Sequence, residues 1–140
     1  MLRPGGRYAF TVWEVPDKHP FMDLINGAVK THGDVNVPLP PAPDNYRFSD
    51  ADECRRTLGG AGFSDVVVTN LSLSWRTASA GVFLEMIYDS LVRAAMMLER
   101  QTPEARQRID AGILDGAERS KTSDGYEVAW PAILASARKT

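Results

Sequence analysis

The sequence predicts an α/β domain in which three strands are flanked by about four helices. Three observations carry that reading. Residues 7–13 form a β-branched and aromatic run of strand length, with Tyr8, Phe10 and Val12 at period two. Several longer segments instead repeat their apolar residues at helical spacing, and cap residues or glycines stand at their ends. The chain has 140 residues, 44% of them hydrophobic, which suffices for one domain burying roughly 68% of its extended surface.

In chain order, Pro4-Gly5-Gly6 forms a turn that releases the first strand. Ala9, Thr11 and Trp13 on its second face are uncharged, so this strand reads as covered on both sides, as in a parallel sheet. Phe21, Leu24, Ile25, Ala28 and Val29 predict a helix to His32, with Gly33 placed as a left-handed cap. Four prolines between residues 38 and 43 make a surface loop. Ser49 is placed to cap a three-turn helix whose first turn holds Asp50, Asp52 and Glu53, and Gly59-Gly60 with Gly62 ends it.

The second strand is read over Phe63 to Trp75, and residues 79–100 as one long helix carrying Phe83, Ile87, Leu91, Ala94 and Leu98 on a stripe. Met86, Met96 and Met97 widen that stripe. Thr102 caps a further helix that begins at Pro103, whose ring suits the first helical position, and directs Ile109, Ile113 and Ala117 inward. The third strand is read over Tyr126 to Lys139, with an irregularity or an edge at Pro131, which has no amide to give to a ladder.

Composition narrows the function classes. Sixteen basic against eighteen acidic residues leave a net charge of −2, too little positive field to hold nucleic acid or an anionic membrane. One cysteine, Cys54, allows neither an internal disulfide nor a multi-thiolate metal centre and suits the reducing cytoplasm. No apolar run approaches the ~20 residues of a membrane span, and the chain does not open on a basic and then apolar leader. His19 and His32 lack a metal-ligand spacing.

Three segments carry a family resemblance. Leu2-Arg3-Pro4-Gly5-Gly6-Arg7 running into Phe10-Thr11-Val12-Trp13 resembles the fifth strand, with its preceding turn, of class I S-adenosylmethionine-dependent methyltransferases. The subgroup is the small-molecule type related to quinone-biosynthesis enzymes. Phe48-Ser49-Asp50 through Leu58-Gly59-Gly60-Ala61-Gly62-Phe63 is similar to that family's late helix, and Pro131 to Lys139 to its final strand.

The resemblance implies the C-terminal half of a Rossmann-like domain, with a mixed three-stranded sheet. Its order would be first, third, second, the third strand antiparallel to the other two. It also implies that the cofactor half, with its glycine-rich loop, would lie upstream of Met1. The chain is then expected to be a truncated gene product, a gene whose start was placed too far downstream, or a piece of a longer enzyme. Residues 1–140 would form one partial domain that does not bind S-adenosylmethionine tightly, because Gly5-Gly6 and Gly59-Gly60-Ala61-Gly62 do not sit between a strand and the helix it opens.

In such a sheet ligands lie beyond the carboxyl ends of the strands, so Trp13 to His19 would border the cleft of the intact enzyme. Glu14 and His19 are candidates for the base that deprotonates a small-molecule methyl acceptor; the plainer reading is a polar loop after a core strand. Trp13, Tyr46 and Phe48 are candidates for lining the acceptor pocket, against the alternative that they pin loops to the core. Cys54 reads as a buried structural thiol whose acidic neighbours oppose its ionisation. The methionines of 79–100 are either a core face or an adaptable acceptor lid. Gly112 and Gly116 have the spacing that lets backbones approach.

A homodimer is expected as well. The first strand carries no lysine, proline or inward charge between Tyr8 and Trp13 to discourage pairing with its own copy. The methionine-rich face is the second route. A different class of function, a non-catalytic binding or assembly protein reusing the half-domain, stands beside the enzymatic one.

Overall fold

A computed structural model describes residues 2–140. The protein is mixed α/β, with five α-helices and two three-stranded antiparallel sheets among the described residues. The strands are β1 (Arg7–Trp13), β2 (Phe63–Leu71), β3 (Ser74–Thr77), β4 (Lys121–Thr122), β5 (Gly125–Ala129) and β6 (Ala132–Lys139). The helices are α1 (Pro20–His32), α2 (Ala51–Gly60), α3 (Gly81–Ser90), α4 (Val92–Glu99) and α5 (Pro103–Ala117). These elements divide into two compact units, one holding residues 2–19, 42–73 and 130–140, the other residues 20–41 and 74–129.

The first unit is built on the sheet β1-β6-β2. Arg7 stands opposite Arg138 and Trp13 opposite Ala132, while β2 sets Leu71 against Ala132 on the other side of β6. The expected order of the three strands is therefore found, but the sheet is not mixed. A central strand reversed against both neighbours leaves only antiparallel ladders.

Period-two alternation puts Tyr8, Phe10 and Val12 on the face that packs on α2, where Cys54, Leu58, Ala135 and Ala137 form a buried core with Phe10, Phe48, Phe63, Val66 and Val68. Ala9, Thr11 and Trp13 on the opposite face are exposed, so the expectation of a strand covered on both sides is corrected. An edge strand in an antiparallel sheet needs only one packed face.

Asp50, not Ser49, caps α2, its carboxylate accepting from the amides of Asp52 at 2.7 Å and Glu53 at 3.2 Å. Ser49 instead closes a single 3-10 turn, Arg47–Ser49. Glu53 is buried and joined by Arg47, Arg56 and the Thr57 hydroxyl, so its charge is compensated. Gly62 takes φ +76° to turn from α2 into β2, and Lys139 Nζ donates to the carbonyls of Ala61 (3.1 Å) and Gly62 (2.9 Å) across that turn.

In the second unit α1 packs on α5, α3 adjoins both α4 and α5, and the hairpin sheet β3-β5-β4 completes it. Phe21, Ile25, Val29, Phe83, Ile87, Leu98, Ile109, Ile113 and Ala117 are buried, which accounts for the apolar stripes read from the sequence. Thr102 caps α5 as expected, accepting from Ala105 N–H at 3.2 Å.

Two expectations are corrected here. The 79–100 helix is interrupted at Leu91 (φ −104°, ψ 74°), which ends α3 and starts α4. The second and third expected strands each divide between the two sheets, the third at Trp130-Pro131. Met86, Met96 and Met97, read as either a core face or an acceptor lid, are half-buried.

Candidate functional site at the end of the first strand

β1 delivers Trp13 to the rim of its sheet, and the chain then folds back on itself. Glu14 N–H donates to Pro131 O at 3.3 Å, extending the β1–β6 ladder by one residue. The Glu14 side chain is buried, 6% exposed, and Oε1 accepts from Val15 N–H at 2.9 Å. A 3-10 turn at Pro16–Lys18 follows, in which Lys18 N–H donates to Val15 O and His19 N–H to Pro16 O, both at 3.0 Å. Proline in its first position presets the backbone for that turn.

The turn returns His19 to the sheet rim, where it meets two indoles edge to face. Its ring centroid lies 4.8 Å from that of Trp130 and 6.3 Å from that of Trp13, and the two indoles are 5.9 Å apart. His19 is 2% exposed, and its Nδ1 is buried without a hydrogen-bond partner. Burial pushes the imidazole pKa down, and the residue's own backbone opposes that shift only in part. The uncharged ring is thus favoured, with a nitrogen whose hydrogen-bonding capacity is unspent.

Trp13 is 52% exposed and, with Thr11, Val12 and Asn45, lines a depression of about 300 Å³. The structure therefore brings Trp13 and His19 together and sets Glu14 beside them in the chain, with one carboxylate oxygen held by Val15. Trp130 is the member that sequence reasoning missed. Antiparallel pairing of the first and third strands puts residues 13 and 130 at one end of the sheet, and that was the available signal.

The other two candidates lie elsewhere in the unit. Phe48 packs edge to face on Phe10 with centroids 5.5 Å apart, beneath the Arg47 guanidinium at 5.2 Å, and its carbonyl accepts from Cys54 Sγ at 3.1 Å. Tyr46 is half-buried, which raises its phenol pKa, and its backbone carbonyl accepts from Ser49 N–H (2.9 Å) and Oγ (2.6 Å). Cys54 is fully buried, and burial followed by the Asp50 carboxylate raises its thiol pKa, as a structural thiol requires.

No model of a known protein family matches the chain, and neither does any curated protein. Among the described residues no three side chains group as metal ligands, and no helix is long and apolar enough to cross a membrane.

Proposed function

We propose that this chain is the acceptor-side part of an S-adenosylmethionine-dependent methyltransferase acting on a small molecule. One observation carries the reading: the three segments that resemble that family are three connected structural pieces of one unit. Leu2 to Trp13 is a turn and β1, Phe48 to Phe63 is α2 with its left-handed exit into β2, and Pro131 to Lys139 is β6 between those two strands.

The described residues do not fit the cofactor itself. Gly5 and Gly62 take positive φ in turns that lead into strands, and Gly59-Gly60 finishes α2, so none opens a helix toward a bound nucleotide. The part assigned to this chain is confined to the acceptor. Trp13 offers an exposed aromatic face to the acceptor, and His19, packed edge to face on it, is the nearest candidate base for the acceptor's nucleophilic oxygen, nitrogen or carbon. Glu14, fixed by Val15, is a positioning residue for the loop.

Tryptophan fluorescence titrated with small phenols and quinols tests the acceptor role. Quenching that Trp13→Ala abolishes is expected, and no quenching at millimolar ligand overturns it. Calorimetry with S-adenosylmethionine is expected to show no tight binding to this chain; micromolar binding overturns the assignment of the cofactor to residues outside it. The DNA in frame upstream of Met1 gives a further check: a glycine-rich strand-to-helix loop supports a parent enzyme, and an immediate stop codon opposes it.

A second reading, a non-catalytic assembly protein, is favoured by one feature: the outer edge of β1 pairs with no strand among the described residues.

A further inference from the structure

We propose that α3, α4 and α5 of the second unit bind a free α-amino acid where they meet, its carboxylate on Arg106 and its ammonium between Glu99 and Asp110. This goes beyond the methyltransferase reading, since it needs neither the cofactor nor the acceptor site.

The site is a depression of about 290 Å³ lined by Tyr88, Glu99, Arg106 and Asp110. Tyr88 lies in the last turn of α3, Glu99 is the last residue of α4, and Arg106 and Asp110 stand about one turn apart on α5. The break at Leu91 means that Tyr88 and Glu99 reach the depression from two helices rather than from one.

Residues four apart on a helix are neighbours, so Asp110 is the obvious partner for Arg106. The two form no ion pair. Asp110 is instead engaged by Tyr88, whose hydroxyl donates to Oδ1 at 2.9 Å, and both residues are half-buried. Burial and then that hydrogen bond raise the Tyr88 phenol pKa, so Tyr88 keeps its proton and fixes the carboxylate. Arg106 and Glu99 are exposed, and among the described residues neither side chain takes part in an ion pair.

Both charges also stand at the unfavourable ends of their helices. The dipole of a helix opposes a carboxylate at the C-terminus and a cation near the N-terminus. Glu99 closes α4, and Arg106 is the fourth residue of α5. Neither the backbone nor a neighbouring side chain compensates them, so the depression is complementary to counter-charges of both signs from outside the chain.

That sign pattern selects the ligand. A simple anion attracted by Arg106 meets two carboxylates as well, and a simple cation attracted by those carboxylates meets the guanidinium; like charge penalises each. A molecule with an ammonium and a carboxylate on one carbon satisfies both sets together. The opposite charges one helical turn apart on α5 match that short separation. The half-buried ring of Tyr88 offers an apolar wall to the ligand's side chain.

Two-dimensional NMR of the full chain at neutral pH, titrated with L-alanine, tests the site. Saturable shifts of the amides at Tyr88, Glu99, Arg106 and Asp110 are expected at tens of millimolar ligand. No shifts, or shifts confined to other residues, overturn the proposal. Propionate and ethylamine each keep one of the two charges and are expected to bind about five-fold more weakly, the loss of one exposed ion pair. Equal binding of either overturns the two-charge reading. Arg106→Ala is expected to weaken L-alanine to the level of ethylamine, and Glu99→Gln to weaken it while leaving propionate no weaker. Both side chains are exposed, so the fold is expected to survive, with an unchanged circular dichroism spectrum as the control. L-alanine binding that is indifferent to both substitutions overturns the site.

Discussion

The side-chain amide of Gln101 pairs in both directions with the backbone of Asp34. Oε1 accepts Asp34 N–H at 2.8 Å, and Nε2 donates to Asp34 O at 2.8 Å and to Met97 O at 3.3 Å. A residue just beyond α4 thereby holds the chain as it leaves α1, and Gln101 is only 9% exposed.

Gln101→Ala is expected to destabilise the protein by about 2 kcal/mol, from two to three hydrogen bonds at ~1 kcal/mol each. Gly33→Ala acts on the same contact: its β-carbon would lie 2.7 Å from both Gln101 Oε1 and Ile109 Cδ1. Its expected loss is about 1–3 kcal/mol. Urea denaturation followed by circular dichroism checks both, and a Gln101→Ala variant as stable as the parent refutes the staple. Gly33 is also not left-handed, as its sequence position had implied. Close approach explains this glycine.

Three glycines of α1 and α5 form a graded series. A β-carbon on Gly27 meets nothing within 4 Å, one on Gly112 meets His32 Cδ2 at 3.0 Å, and one on Gly116 would occupy space held by Leu24. Alanine gains about 1 kcal/mol over glycine inside a helix, while overpacking costs about 1–3 kcal/mol. Gly27→Ala is therefore expected to raise the unfolding midpoint, Gly112→Ala to leave it nearly unchanged, and Gly116→Ala to lower it. Any other ordering argues against α1 seating on the small residues of α5.

What the sequence disclosed depended on whether the decisive interaction was local. The first strand and the Thr102-Pro103 start of α5 lie where they were read, because β-propensity and capping act over a few residues. The break at Pro131 was legible from the missing amide. The interruption at Leu91 was not, since no glycine or proline marks it. The division of residues 63–75 between two sheets was equally hidden, because apolar alternation names a face without naming the partner strand. At the candidate site, Trp13 was legible as a strand-end aromatic, but the burial of His19 and the arrival of Trp130 depend on contacts between residues more than a hundred positions apart.

Asp65 is the described non-glycine residue with positive φ, at +50°, in the bulge of β2, and its side chain is exposed. The left-handed region costs an ordinary L-residue about 1–2 kcal/mol, less for Asp and nothing for Gly. Asp65→Gly is expected to be neutral to stabilising by up to about 1 kcal/mol. Asp65→Val, whose branched β-carbon suits the left-handed region worst, is expected to lose about 1–2 kcal/mol. Thermal unfolding of the pair reads the difference, and a more stable valine variant would show that the bulge is absent in solution.

His19 makes stability depend on pH with a definite sign. Burial lowers its pKa from the ordinary 6.5, the residue's own backbone opposing the shift only in part. As pH falls below 6.5 the unfolded chain takes up a proton that the folded chain still refuses, so the equilibrium moves toward unfolding. The contribution is fully present above 6.5, declines as pH falls toward the lowered folded-state value, and stays constant below it. His19→Phe keeps a ring between Trp13 and Trp130 but binds no proton, so its stability is expected to fall less steeply than the parent's in this window. Urea midpoints measured from pH 7.5 down to about 5 check this, the window being set by the unperturbed imidazole pKa. Parallel curves for parent and variant would mean that the imidazole is solvated in the folded protein, and its assignment as a buried neutral base would then fail.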